Sequence, residues 1–206
     1  MITLAQNALT TLNRMQLLIP DGDGELAQGR LMLLIDRASA EIEAALERKL
    51  GKARYSELVT PSGSQQLLLR QWPILGVEKV LQDGVELDPD TYSIEDGGVL
   101  YKDVGWTWTG YPQGLAYDPR AASRNIQVIY TAGYVLPKDA TNDIPATLPA
   151  DLEGLCMEMV QSAWGMLQSG GYGGLKSFAI SDVRWEWASE APASWQMTLD
   201  KHRRWA

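Results

Sequence analysis

The sequence predicts an α+β fold: a small helical bundle, with one long helix in the N-terminal half and another in the C-terminal half, a central small antiparallel β-sheet and a C-terminal helical extension. Three observations predict it. An apolar stripe at helical period covers about 25–50, short strand-like runs separated by Asp-Gly and Gly-Gly turns fill the middle, and a second helical stripe covers 150–168. Residues 1–168 read as a core of helices around the sheet, mostly β over about 54–131, and 169–206 as an extension hinged on glycines.

At the start, Thr3 followed by Gln6 has the form of a capping box, and Leu4, Ala8, Leu12 and Met15 recur at three- and four-residue spacing. This predicts a short amphipathic helix, stopped by Pro20 and Asp21-Gly22-Asp23-Gly24. In the long helix Leu31, Leu34, Ile35, Ala38, Ile42, Ala45, Leu46 and Leu50 form the stripe, and Gly51 suits a C-terminal cap. Residues 55–60 and 65–70 flank the turn composition Pro61-Ser62-Gly63-Ser64 and are expected to pair as a hairpin. Further strands are expected at 77–81, 85–87, 92–94, 99–101 and 125–131, the last alternating at Ile126, Val128 and Tyr130.

Residues 105–124 form a long loop carrying Trp106, Trp108, Tyr111 and Tyr117 among glycines and prolines, and 137–149 read as a linker. Leu152, Leu155, Met159, Ala163, Met166 and Leu167 mark the helix at 150–168, which ends at Ser169-Gly170-Gly171-Tyr172-Gly173-Gly174, where a hinge is expected. Residues 177–188 alternate in part through Phe178, Ile180, Val183, Trp185 and Trp187, and a last helix is expected over about 193–205.

A chain of 206 residues that is 45% apolar can bury a real core. Residues 1–7 lack a basic and an apolar signal region, and no apolar run approaches the roughly 18 residues of a membrane span, so a soluble, unexported protein without membrane contact is expected. Cys156 is the only cysteine, which removes intrachain disulfides and cysteine-based zinc sites within one chain. His202 is the only histidine and sits in a basic tail, a poor setting for a catalytic triad. The net charge of −8 repels phosphate backbones and argues against sequence-independent nucleic-acid binding. Eight tryptophans against one phenylalanine favour an assembly protein, because large amphipathic aromatics are enriched at interfaces.

Several motifs have both a functional and a plainer reading. Asp21-Gly22-Asp23-Gly24-Glu25 suggests a calcium loop, yet Leu26 and Met32 stand where that pattern needs glycine and glutamate, so a helix-start loop is expected. The segment 170–177 ends in Lys176-Ser177 like a phosphate loop, but Leu175 replaces the required glycine and a helix precedes it. Lys201-His202-Arg203-Arg204 beside Trp195 and Trp205 fits a nucleic-acid patch, a dipole-complementing helix end, or a dock for an acidic partner. The aromatic loop either packs on its own sheet or anchors a neighbouring subunit. Glu41, Glu43 and Glu47 are expected on the solvated face of the long helix rather than as a general acid and base.

The order of local motifs resembles that of the head-tail connector, or adaptor, proteins of long-tailed bacteriophages and prophages. The resemblance covers most of the chain. It is carried by Leu33-Leu34-Ile35-Asp36-Arg37-Ala38-Ser39-Ala40-Glu41-Ile42-Glu43, by Trp72-Pro73-Ile74 and Val77, and by Asp83-Gly84-Val85-Glu86-Leu87 and Tyr92-Ser93-Ile94. Gly97-Gly98-Val99-Leu100-Tyr101, the strand from Ile126 to Tyr134, Ile144-Pro145 and Leu148-Pro149-Ala150-Asp151-Leu152 follow in that family's order. The chain departs from the family in its longer aromatic loop and its tryptophan-rich C-terminal third.

The resemblance implies a structural virion protein without cofactor, metal or catalytic residues, formed in the host cytoplasm and located at the head-tail junction. It implies a homo-oligomeric ring of about 12 copies below the portal, with heterologous contacts that close by rotation. Its partners would be further copies, the portal protein and a stopper or tail-completion protein, with DNA passing through the channel without specific binding. In that family a C-terminal segment commonly reaches the portal, which points to Trp195, Leu199, Arg203, Arg204 and Trp205 beside the loop residues Trp106, Trp108, Tyr111 and Tyr117. The alternatives are another neck component, a stopper or tail-completion protein, and a small ligand-binding or enzymatic α+β domain.

Overall fold

The computed structural model describes residues 3–61, 63–107, 125–168, 177–180, 183–186 and 192–203. Along the chain run α1 (Leu12–Leu18), α2 (Glu25–Leu46), β1 (Ala53–Val59), β2 (Gln66–Leu68), β3 (Ile74–Gln82), β4 (Val85–Glu86), β5 (Ser93–Glu95), β6 (Val99–Tyr101), β7 (Ile126–Ala132), α3 (Ala150–Gln168), β8 (Ser177–Ile180), β9 (Val183–Glu186) and α4 (Ala193–His202). The fold is α+β, as expected, and the chain divides into two compact units, Arg48–Tyr134 and the combination of Met1–Glu47 with Val135–Ala206. No helix among the described residues is long and apolar enough to cross a membrane.

In the helical unit, residues 3–10 are not helical, contrary to the capping-box expectation. They lie as a strap along α2: Ala5 N–H donates to Asp36 at 2.8 Å, the Asn7 amide to Glu43 at 3.0 Å and Leu9 N–H to the Ser39 hydroxyl at 3.0 Å. Asp36, Ser39 and Glu43 are spaced three and four apart, so they form one line on the helix. The strap buries Ala8 and Leu9 completely and covers Glu43, which is therefore not on the solvated face expected for it. The true cap of α1 is Thr11, whose hydroxyl accepts from Arg14 N–H.

The α2 stripe buries Leu31, Ile35, Ala38, Ile42 and Leu46 against α3, which buries Leu152, Leu155, Cys156, Val160 and Trp164. Each buried Leu, Ile or Val among them stabilises the fold by about 1.5–3 kcal/mol. The helix ends at Leu46, with Glu47 left-handed at φ 55°, short of the cap expected at Gly51. The two helices run antiparallel: Ser39 Oγ meets Cys156 Sγ at 3.7 Å, while the end of α2 and the start of α3 both hold the end of α4.

The β unit holds the expected antiparallel β-structure, divided into two sheets in the orders β1-β7-β3-β4 and β2-β6-β5. The hairpin expected between β1 and β2 does not form. β1 pairs with β7 over seven residues, from Ala53 opposite Ala132 to Val59 opposite Ile126, while β2 pairs with β6. The split lets two apolar faces meet: Val80, Ile126, Val128 and Tyr130 from one sheet with Leu67 and Leu100 from the other, and Trp106 among them. The Tyr130 hydroxyl donates to Glu57 at 2.8 Å and accepts from Gln71 N–H at 3.2 Å, and burial followed by the Glu57 contact pushes this phenol far above its ordinary range.

Candidate assembly surface

The last helix is short, and polar contacts hold it to its unit. Lys201 Nζ donates to Asp151 Oδ2 at 2.6 Å, His202 Nε2 lies 2.9 Å from Asp151 Oδ1, and Trp195 Nε1 donates to Glu158 at 2.9 Å. Arg203 donates to the carbonyl of Ala45 at 2.9 Å. That carbonyl lies in the last turn of α2, where no further turn supplies an amide, so the guanidinium completes the helix end. No residue of α4 is buried, and Met197 is 73% exposed. Asp151 sits in the first turn of α3, where the helix dipole already favours a carboxylate. Its partial burial works upward on its pKa and is outweighed by the hydrogen bonds from Lys201 and His202, which hold it at about 2.

The structure therefore places Trp195 and Leu199 on α4 and Arg203 at its C-cap, with Trp195 and Arg203 hydrogen-bonded to oxygens of their own unit. Trp106 is elsewhere: it is wholly buried in the β unit, with Nε1 donating to the Leu100 carbonyl at 3.1 Å and the Tyr92 ring 6.4 Å away. Trp108, Tyr111, Tyr117, Arg204 and Trp205 lie outside the described residues, as do the glycines at 170–174. Sequence reasoning missed Asp151, Glu158 and the Ala45 carbonyl as the seat of α4. The available signal was an acidic first turn in one helix and a basic last turn in the other, which names complementary ends without naming a pair.

The calcium-loop-like and paired-carboxylate motifs are absorbed locally, and residues 170–176 of the phosphate-loop-like segment lie outside the described residues. Asp23 accepts from Gln16 and Gln28 around the start of α2, and Glu41 pairs with Arg37 at 2.8 Å one turn away. Among the described residues no three His, Cys, Asp or Glu side chains gather as a metal site. Arg48 stacks at 3.4 Å from the centroid of Trp72 and donates to its carbonyl, an arrangement internal to the β unit.

An antiparallel helix pair with a strap and a docked terminal helix in one unit, and two small facing sheets in the other, define the class of this protein as an α+β structure. No family model matches the sequence, and no curated protein matches it. Solved structures do. A chain in the virion of a native gene transfer agent particle matches at TM-score 0.55 and 12% identity, over 100% of this chain and 94% of that one. A chain in the neck of the native particle computed with C12 symmetry matches at 0.55 and 12%, and one in the neck of the empty particle computed with C6 symmetry at 0.55 and 15%, with the same coverage. This chain shares the fold of those chains over its whole length.

Proposed function

We propose that the chain is a structural virion protein of the neck, an adaptor subunit that closes with other copies into a ring of about 12 below the portal. The ring extends the DNA channel and gives the tail or a stopper protein its platform. The observation that carries this reading is the whole-length match in fold to chains in neck structures computed with C12 and C6 symmetry. The motif order in the sequence supports it, and so does the net charge of −8, which suits a passage that DNA crosses without adhering. The mechanism is association, not chemistry. Residues 169–206 serve as the extension toward the portal, with Trp195, Leu199, Arg203, Arg204 and Trp205 as its contacts. Trp108, Tyr111 and Tyr117 reach a neighbouring subunit, from a segment whose start Trp106 fixes in the core.

Deletion of the gene from its phage or prophage, followed by electron microscopy of the induced lysate, tests this. DNA-filled or leaking heads beside free tails are expected, with no density below the portal of the isolated heads. Heads that keep a ring on the portal would move the protein further down the neck, and intact tailed particles would overturn the reading.

A further inference from the structure

One side of the β unit leaves apolar side chains exposed at the rim of its core. β4 and β5 are edge strands of different sheets, and the chain passes from one to the other through Pro89–Thr91. Val85 stands opposite Gln82 and Ile94 opposite Leu100, so each shares the inner face of its sheet with a buried partner. Yet Val85 is 68% exposed and Ile94 46%. Around them in sequence stand Asp83, Glu86, Asp88, Asp90, Glu95 and Asp96, with no Lys or Arg between 83 and 97. Burial, then the charges of Glu86 and Asp88, push the Tyr92 phenol up, as a negative field does. Charge alone would guard a sheet edge against pairing, whereas apolar side chains left open among the charges mark a surface for a partner.

The helical unit carries the complement. Along α2, Leu26, Arg30, Leu33 and Arg37 follow at spacings of four, three and four, which at about 100° per residue sets them within about 60° around the axis. The buried stripe of Leu31, Ile35, Ala38 and Ile42 occupies the opposite side. Leu26 is 69% exposed and Leu33 57%, both arginines are exposed, and the face runs for about 17 Å. Arg37 holds Glu41 one turn on, while Arg30 has no partner among the described residues. We propose that this α2 face of one copy docks on the β4-β5 rim of the next copy, with its leucines against Val85 and Ile94 and its arginines against the surrounding carboxylates. Each chain then carries both halves of a subunit junction; this rests on the ring reading above.

A second copy is the occupant because the two surfaces match in apolar centre and in opposite charge, and both are exposed in the single chain. They differ from one another, so the contact is heterologous, and closing a ring covers both in every copy. An apolar centre with a charged surround is the ordinary layout of an interface, and opposite charge across it fixes register and partner. A net charge of −8 drives copies apart in general. Acids gathered on the rim and arginines on α2 turn that repulsion into attraction at one place.

The test uses two full-length charge-reversed variants, Arg30→Glu with Arg37→Glu on the helix face and Asp90→Lys with Glu95→Lys on the rim. They are examined by native mass spectrometry, with circular dichroism as the check on folding. Wild-type chains are expected to form higher oligomers. Each variant alone sets like charges face to face and is expected to stay monomeric with an unchanged melt. A 1:1 mixture is expected to recover higher oligomers holding the two variants in equal number, because every junction in it joins opposite charges. Variants that each assemble as the wild type does, or that stay monomeric in the mixture while the wild type assembles, would overturn this junction and leave the ring reading standing. A rim variant with a lowered melt, whose mixture gives no mixed oligomer, would show that the rim is covered by its own chain. Wild-type chains that stay monomeric at every concentration, with no oligomer in the mixture, would overturn both readings.

Discussion

Lys201 Nζ lies 2.6 Å from Asp151 Oδ2 and ties the last turn of α4 to the first turn of α3 across fifty positions of sequence. Hydrogen bonds from Lys201 and His202 hold Asp151 at about 2 against the upward effect of its partial burial. A carboxyl whose folded pKa lies below its ordinary 3.8 contributes stability that is present above that value and lost as pH falls toward 2. An NMR titration of the Asp151 carboxyl is expected to show a midpoint near 2; a midpoint near 3.8 would mean that α4 is undocked in solution. Asp151→Asn weakens the seat by about 0.5–1 kcal/mol, the scale of exposed ion pairs. Trypsin cleavage after Lys201 should accordingly quicken a few-fold.

Tyr130 joins the β unit through both roles of its hydroxyl, as donor to Glu57 and acceptor from Gln71. Tyr130→Phe keeps the ring and orphans the Gln71 N–H, while Glu57 still accepts from Arg70 N–H at 3.0 Å, and the loss costs about 1–3 kcal/mol. Urea unfolding is the measurement. A midpoint equal to that of the wild type would show that water replaces the hydroxyl.

Gly133 has φ 102°, and a Cβ there would stand 2.5 Å from the Gly51 carbonyl oxygen. Gly133→Ala is expected to cost about 2–3 kcal/mol from the strained backbone and the clash together. Gly76→Ala is the control, because nothing lies within 4 Å of its added carbon, and it should fall within about 0.5 kcal/mol of wild type. Thermal melts of the two variants separate backbone demand from a general dislike of change in the sheet.

Burial pushes the Cys156 thiol up to about 11. The protonated thiol is the folded form, so this contribution to stability is full below the ordinary value of 9 and is lost as pH rises through 11. At pH 8 the thiolate is scarce and the sulfur is covered, so alkylation by iodoacetamide should be at least ~100-fold slower than in denaturant. Rapid native labelling would place Cys156 at a surface and contradict the packing of α2 on α3.

Much of the architecture was legible in the residues alone. The helix at 150–168 matches its expected bounds, and the core stripe of α2 matches at Leu31, Ile35, Ala38, Ile42 and Leu46, because a period of 3.6 is a local property that any helix must display. The strand positions from β3 to β7 were legible for a similar reason, since alternation and Asp-Gly turns are read over a few residues. The candidate site was legible as a basic, aromatic helix near the C-terminal end, and there the reading stopped at residue types.

What the sequence determined by itself is the inventory: which stretches are helical or extended, which face of each is apolar, and which helix ends are acidic or basic. Pairing was decided only in three dimensions. Residues 3–10 carry helix-start chemistry, yet gain more by burying Ala8 and Leu9 and donating to Asp36, Ser39 and Glu43. β1 could close a hairpin with β2, yet seven rungs with β7 and a shared core with the second sheet outweigh a short turn. Asp151 had any cation to choose from, and the chain path delivers Lys201 and His202. Each of these choices compares contacts between residues far apart in sequence, and that comparison exists only once the chain has closed around its core.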